Sequence, residues 1–320
     1  MTPFQFPKAT DAAWVKPLLN AEGLALCNYS FPVLFCWQHA YDFRYAREGD
    51  RLLTRLTSSL GHSYLWPVGE GDPKPALDAI TQDAREEGQP LRLIALTQYH
   101  KNWLEANYPD RFAFEEARDG FDYLYDIDRL ADLPGKKLHA KRNFVTRFLA
   151  EQEGKRPFEQ ITDANLDECW AMNEQWCAEV GCEDSESLTE ESCAVRNCFN
   201  NFHSLGLRGG LLRVEGRIVA YTMGRPLSSD TFIVHIEKAF AEVAGAYPMI
   251  NQQFVLHECE GYAYVNREED TGDPGLRKAK LSYYPDILLP KYELEESGVV
   301  YADPERDAPY IQEIWQKCFG

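Results

Sequence analysis

The sequence predicts an α+β protein of two domains, each a mixed, mostly antiparallel sheet flanked by helices, and three observations lead there. The 320 residues are about two domains' worth of chain, long enough to bury a full core in each. The composition, 44% hydrophobic and 26% charged, is that of an ordinary globular protein. After a short strand near 158–161, the remainder reads helix, helix, three strands in quick succession, helix, strand, helix, strand, an order that builds a mostly antiparallel sheet.

Taken in order, Thr10 and Asp11 cap a short helix through Leu18 and Leu19 that Gly23 ends. Strands follow at 42–46, 51–56 and 63–66, separated by EGD and SLGH turns. PKPALDAITQDAREE (73–87) has helical spacing at Leu77, Ile80 and Ala84, and LRLIAL (91–96) reads as a buried strand. RFAFEEA (111–117) and FDYLYDI (121–127) are two more strands. PGKKLHAKRNFVTRFL (134–149) opens a helix of about sixteen residues, and EGKRP (153–157) signals a loop and domain boundary. Helices are expected at 164–180 and 190–205. LRGGLLRVE, GRIVAYTMG and DTFIVHIEKAF form a three-strand meander with a tight EG turn. A helix (245–261), a strand (262–266), a short helix (275–285) and a last strand (287–294) complete the chain, in the element order of the GNAT acyltransferase fold.

Charge narrows the function. Residues 1–150 carry 18 Lys and Arg against 20 Asp and Glu, and residues 151–320 carry 15 against 31, within a net charge of −18. So acidic a second half repels phosphate backbones, which excludes a general nucleic-acid or anionic-membrane binder but not one local basic pocket. No apolar run approaches the roughly 18 residues of a membrane span, and the N-terminus lacks a signal-peptide pattern, so a cytoplasmic location is expected. Nine cysteines without a CxxC pair read as reduced thiols, and no zinc spacing occurs, so no metal is expected.

Three stretches hold candidate chemistry. In 134–149, Lys136, Lys137, His139, Lys141, Arg142 and Arg147 sit among no acidic residue. The stripe Phe144, Val145, Phe148 and Leu149, projected one turn back, meets Lys141 and Arg142, so cations continue the buried face. They also crowd the first turns, where the macrodipole disfavours them by a few tenths to about 1 kcal/mol. Anion binding and pairing with the acidic second half both account for this; so does packing of aliphatic stems with the charged heads in water. The second stretch, YVNREEDTGDPGLRKAKLSYYP (264–285), leaves a strand with Asn266, Arg267, Glu268, Glu269 and Asp270 and enters a helix bearing Arg277, Lys278 and Lys280, then Tyr283 and Tyr284. It holds a polar substrate by charge-assisted hydrogen bonds or is a solvated charged loop. In the third, Glu237 lies on a central strand, either paired with Lys238 or Arg217 or kept for proton transfer. Gly245, Ala246 and Tyr247 then open a helix whose free amides suit a phosphate or an oxyanion.

DYLY (122–125), LPGKKLHAKRNFVTRF (133–148), NREEDTGDPGLRKAKLSYYP (266–285) and LLPKY (288–292) together resemble the DUF2156 family, related to the C-terminal domain of phosphatidylglycerol lysyltransferases. The resemblance implies two tandem GNAT-like (acyl-CoA N-acyltransferase) domains, at 1–134 and 158–320, joined by a basic helix and linker at 135–157. It is similar to the Fem aminoacyltransferases, and so implies acyl transfer from aminoacyl-tRNA or acyl-CoA to an amine or hydroxyl acceptor, here a small and cationic one. By element order it puts Glu237 at the base position and Tyr283 or Tyr284 near the acid position. Lys137, His139, Lys141, Arg142, Asn143, Gly245, Ala246, Tyr247, Asn266, Glu268, Asp270, Arg277 and Lys280 are the candidate donor- and substrate-binding residues. Two departures stand out. The CoA-binding loop usually reads Q/R-x-x-G-x-G/A, whereas 241–246 is AEVAGA. The lysyltransferases carry an N-terminal membrane domain with no counterpart in these residues, which argues against a lipid acceptor. A non-catalytic ligand-binding protein on a degenerate GNAT scaffold is the alternative from another class.

Overall fold

The computed structural model describes residues 3–58, 61–152 and 157–296. Its elements begin α1 (Ala12–Asn20), α2 (Phe31–Cys36), β1 (Arg44–Glu48), β2 (Arg51–Ser58), β3 (Gly61–Leu65), β4 (Val68–Gly69), α3 (Lys74–Glu86), β5 (Arg92–Leu96), α4 (Gln98–Asn107), β6 (Phe112–Glu116) and β7 (Asp122–Asp126). They continue α5 (Ile127–Asp132), α6 (His139–Glu151), β8 (Phe158–Gln160), α7 (Leu166–Val180), α8 (Glu186–Asn200), α9 (Phe202–Leu205), β9 (Arg208–Val214), β10 (Arg217–Pro226) and β11 (Thr231–Ala239). Last come α10 (Ala246–Glu258), β12 (Tyr264–Asn266), α11 (Pro274–Leu281), β13 (Ile287–Leu289) and β14 (Tyr292–Glu296). The expected loop at 153–157 lies, but for Pro157, outside the described residues, as do Ser59 and Leu60 of the SLGH turn.

The fold is α+β, with two mixed sheets flanked by helices. The chain divides into two compact units that do not run consecutively: one extends to Phe121, includes Glu186–Cys198 and resumes at Leu289, and the other is Asp122–Ser185 with Phe199–Leu288. The first unit's sheet has the order β1-β2-β3-β5-β14-β6, with β4 on β2. Its β3 and β5 are parallel, pairing Tyr64 with Leu93 and Leu65 with Ile94. The second unit's sheet has the order β13-β7-β12-β11-β10-β9-β8. Each sheet therefore takes a strand from the other half of the sequence, β7 between β13 and β12, and β14 between β5 and β6. This differs from the consecutive division at 134 and 158, and it puts the basic helix α6 inside the second unit rather than between domains. The strand expected at 287–294 is two strands in different sheets, because Pro290 between them has no N–H to give a ladder.

Local chemistry explains the helices that periodicity did not reveal. The α4 N-terminus is a capping box in which Thr97 Oγ1 accepts the His100 amide and His100 Nδ1 accepts the Thr97 amide, both at 3.2 Å. Asp126 caps α5 by accepting the Arg129 amide at 2.9 Å. In the second unit α10 is the central helix, burying Ala246, Met249, Ile250, Phe254 and Val255 against the sheet. Burying a side chain such as Phe254 removes it from water at a gain of roughly 1.5–3 kcal/mol.

One cysteine reading is corrected. Cys177 and Cys182 form a disulfide: Gly181, left-handed at φ 73°, ends α7 and turns the chain so that their Cα atoms lie 5.2 Å apart. Cys27, Cys36, Cys169, Cys198 and Cys259 are buried and form no disulfide. Among the described residues no helix is long and apolar enough to cross a membrane.

Candidate functional site

In the second unit β11 and β12 run parallel only through Thr231–Tyr264, Phe232–Val265 and Ile233–Asn266. Beyond that register β11 continues to Ala239 while β12 stops, so backbone pairing gives way to side chains. Two polar pairs span the opening. His235 Nδ1 lies 2.7 Å from Glu268 Oε1, and Glu237 Oε1 lies 2.7 Å from Arg267 Nη2. His235 and Glu237 are two residues apart on one strand and share a face. Asn251 of α10 adds a 3.2 Å bond to the other Glu237 oxygen.

Glu237 is thus held by Arg267, and neither of the partners expected from sequence reaches it. Lys238 lies over the Trp176 ring at 4.0 Å, and Arg217 pairs with Glu242 at 3.7 Å. Arg267 is itself flanked by the rings of Tyr283, 5.2 Å to the centroid, and Tyr125, 5.9 Å. His235, its side chain 6% exposed, has Nδ1 on the Glu268 carboxylate, which can only accept, so the hydrogen between them belongs to Nδ1; its Nε2 is buried and has no hydrogen-bond partner among the described residues. His235 was not among the residues singled out from sequence. The available signal was its i, i+2 spacing with Glu237 on a strand otherwise apolar.

The basic helix contributes one residue to this cluster. Leu138, Val145 and Phe148 are its buried face, and Lys141 falls in the same register, whereas Phe144 and Leu149 are exposed. The Lys141 ammonium sits 4.1 Å from the Tyr283 ring centroid. Burial, with the Arg267 charge adding to it and Glu237 opposing, holds its pKa below the usual lysine range. Tyr283 is 5% exposed, and burial pushes its hydroxyl well above the usual phenol range, so it keeps its proton at neutral pH.

The remaining predicted residues do other work. Lys137 lies over the exposed Tyr284 ring, 5.1 Å to the centroid. Among the described residues Arg142 does not pair with acidic residues of the second half; its guanidinium bonds the carbonyls of Leu133 and, at 3.3 Å, Gly135. Arg147 pairs within its own helix with Glu151 at 2.9 Å. His139 and Asn143 bond each other at 3.0 Å on the exposed side. Ala246 is buried and Tyr247 exposed. An added Cβ on Gly245, at φ 86°, would lie 2.9 Å from the Phe144 carbonyl oxygen, so α6 backbone fills the space beside the start of α10.

The loop after β12 is tied down rather than solvated. Buried Asn266 donates to Asp122 at 2.8 Å and accepts the Glu268 amide at 2.7 Å. Asp270, fully buried, accepts from Arg277 at 2.6 and 2.8 Å, from the Gly272 amide at 3.0 Å and from the Tyr123 hydroxyl. Lys280 Nζ caps the carbonyls of Arg267, at 2.8 Å, and Glu269. Glu268 and Thr271 take positive φ of 59° and 50°, a strained path that these bonds maintain.

Asp270 makes stability pH-dependent. Burial alone would raise its pKa, but the bonds from Arg277, Tyr123 and the Gly272 amide outweigh it and hold the carboxyl well below the usual range. A group depressed on folding stabilises above its unfolded pKa, about 3.9, and that contribution is lost as pH falls toward the folded value. Asp270→Asn should therefore be less stable than wild type at pH 7 by about 2–3 kcal/mol. Below about pH 4 the gap should shrink by up to about 1.4 kcal/mol per pH unit. Urea titrations of both proteins at pH 7, 4 and 3 measure it; a constant gap would mean that the carboxylate is not what those bonds hold.

With this geometry in place, comparison with known proteins defines the class. The chain belongs to the family described as phosphatidylglycerol lysyltransferase, C-terminal, whose model matches residues 23–295. A crystal structure of a conserved protein of unknown function from Bacteroides thetaiotaomicron is 37% identical, with TM-score 0.87 over 93% of this chain and 100% of that one. A C-terminal DUF2156 domain of a candidate lysylphosphatidylglycerol synthetase from Agrobacterium fabrum shares the fold at 14% identity, TM-score 0.63, over 90% of this chain and 93% of that one. An uncharacterized Mycoplasmoides gallisepticum protein is 21% identical over 207 residues, and the match spans 64% of each chain.

Proposed function

We propose that the second unit transfers an aminoacyl group from aminoacyl-tRNA to an amine or hydroxyl acceptor. The observation that carries this reading is the His235–Glu268 pair with its unpartnered Nε2, set beside Arg267 and Lys141 where β11 and β12 part. His235 Nε2 takes the proton as the acceptor's nitrogen or oxygen bonds to the donor's ester carbon. Arg267, positioned by Glu237, and Lys141 face the oxyanion that develops on the carbonyl oxygen. The bond to the ribose oxygen then breaks, and that oxygen receives a proton from the imidazolium or from the Tyr283 hydroxyl. The family's description, lysyl transfer, favours an aminoacyl donor, and the AEVAGA loop with its single glycine disfavours ordinary CoA binding.

A non-catalytic ligand-binding reading is favoured by one fact: the Glu237–Arg267 pair already bridges the opening. Incubation with radiolabelled lysyl-tRNA or acetyl-CoA and a panel of small amines and alcohols separates the readings. The expected result is transfer from lysyl-tRNA alone. Lys141→Ala, folded, should lower donor affinity and flatten its salt dependence. Donor binding should also weaken as pH rises through the depressed Lys141 pKa, below the roughly 10.4 of free lysine. Transfer from acetyl-CoA only would overturn the donor assignment, and binding without transfer from either donor would establish the non-catalytic reading.

A further inference from the structure

The first unit has a cavity of about 610 Å³ that no part of the transfer reading uses. That volume is in the range of small-molecule sites, roughly 300–1,000 Å³. It lies past the ends of the parallel strands β3 and β5, with Trp66 following β3, Thr97 following β5, and Gly69 and Gly71 leading into α3. Trp66, 2% exposed and stacked on His100 with centroids 4.6 Å apart, backs it, and the Trp103 ring meets Trp66 at 75° with centroids 5.3 Å apart. Tyr99, 67% exposed, stands on its rim.

Glu22 is the acidic residue of the lining, and its surroundings are built. Because His100 Nδ1 accepts the Thr97 amide in the α4 capping box, the ring's hydrogen is on Nε2, which points at Glu22 Oε2 from 3.2 Å. The other oxygen, Oε1, accepts from Arg51 at 3.2 Å and from the Trp66 indole at 3.3 Å. His100 and Arg51 are both more than nine-tenths buried. Glu22 Oε2 thus keeps acceptor capacity, and the carboxylate is 19% exposed. Burial raises its proton affinity, but His100, Trp66 and Arg51 outweigh that and hold its pKa below the usual range, so it is ionised at neutral pH.

Arg51, the basic residue of the lining, is not directed at a ligand: it bonds Glu22 and the carbonyls of Pro67 and Gly71. With the Arg51 guanidinium turned into the protein, what the cavity offers a ligand is the second oxygen of Glu22 and the rings of Trp103 and Tyr99, a combination that suits an organic ammonium ion better than an anion. We infer that this cavity of the first unit binds a small organic ammonium ion, its charged nitrogen at Glu22 and its alkyl portion against Trp103 and Tyr99.

The inference stands independently of the transfer reading and is tested by titration calorimetry of the full chain with n-pentylammonium chloride. Sodium pentanoate, n-pentanol and CoA are the comparators. Saturable binding of pentylammonium, with none of the alcohol or the carboxylate, is expected. Glu22→Gln should weaken it by about tenfold or more, and Trp103→Leu by several-fold. Should Glu22→Gln fail to fold, Trp103→Leu and the exposed Tyr99→Ala decide alone. No saturable binding of pentylammonium, equal binding of pentanoate, binding of CoA at this cavity in its place, or an unchanged affinity in Trp103→Leu overturns the inference.

Discussion

Replacing His235 by Gln should lower aminoacyl transfer by about 10²- to 10⁴-fold, the usual contribution of a positioned general base, while leaving the thermal midpoint near that of wild type. The second half of that expectation follows from geometry. Glutamine fills much the same volume and sets a non-basic amide near the position of Nε2, and Glu268, 20% exposed, can turn to water where it loses the Nδ1 hydrogen. What is lost is a basic nitrogen at the position of Nε2, an atom that no group of the described residues bonds. Glu268→Gln makes the complementary test. Its amide oxygen can still accept the Nδ1 hydrogen, so the tautomer is kept and the loss should be smaller than for His235→Gln. If His235→Gln transfers at the wild-type rate, the base is another group and the His235–Glu268 pair only closes the gap between the strands.

Much of the fold was legible because its periodicities are local. The meander β9 to β11, helix α10 and helix α3 follow directly from alternation, turn residues and apolar spacing. The exchanged strands were not legible, since DYLYD and YELEE look like any strand and nothing nearby states which sheet they join. Lys141 could be assigned to the buried face of α6 by projection along the helix. The partner of Glu237 could not be found that way, because Arg267 is 30 positions away and meets it only through the parallel register of β11 and β12. His235 was passed over for a related reason. A lone histidine in an apolar strand reads as a core residue until Glu268 and the empty hydrogen-bonding position at Nε2 are seen in space.

The largest effect on stability is expected from Arg267→Met. Both side chains of its pair with Glu237 are nearly out of contact with water, 13% exposed for the arginine and 11% for the glutamate. Methionine keeps most of the stem's packing between Tyr125 and Tyr283 but removes the charge, so Glu237 is left buried with Asn251 as its remaining direct partner. Breaking a buried pair from one side costs about 3–5 kcal/mol, and chemical denaturation should show a loss of that size. Adding Glu237→Gln should recover most of it, because the cost comes from the stranded carboxylate and not from lost contacts. A double variant no more stable than Arg267→Met would instead assign the loss to packing around the tyrosines. If the rescue holds, the two residues are dispensable for folding together and costly apart. A neutral pair would then serve the fold about as well, and in the proposed transfer what the charges add is a guanidinium held by Glu237 on the strand that also carries His235, available to a developing oxyanion.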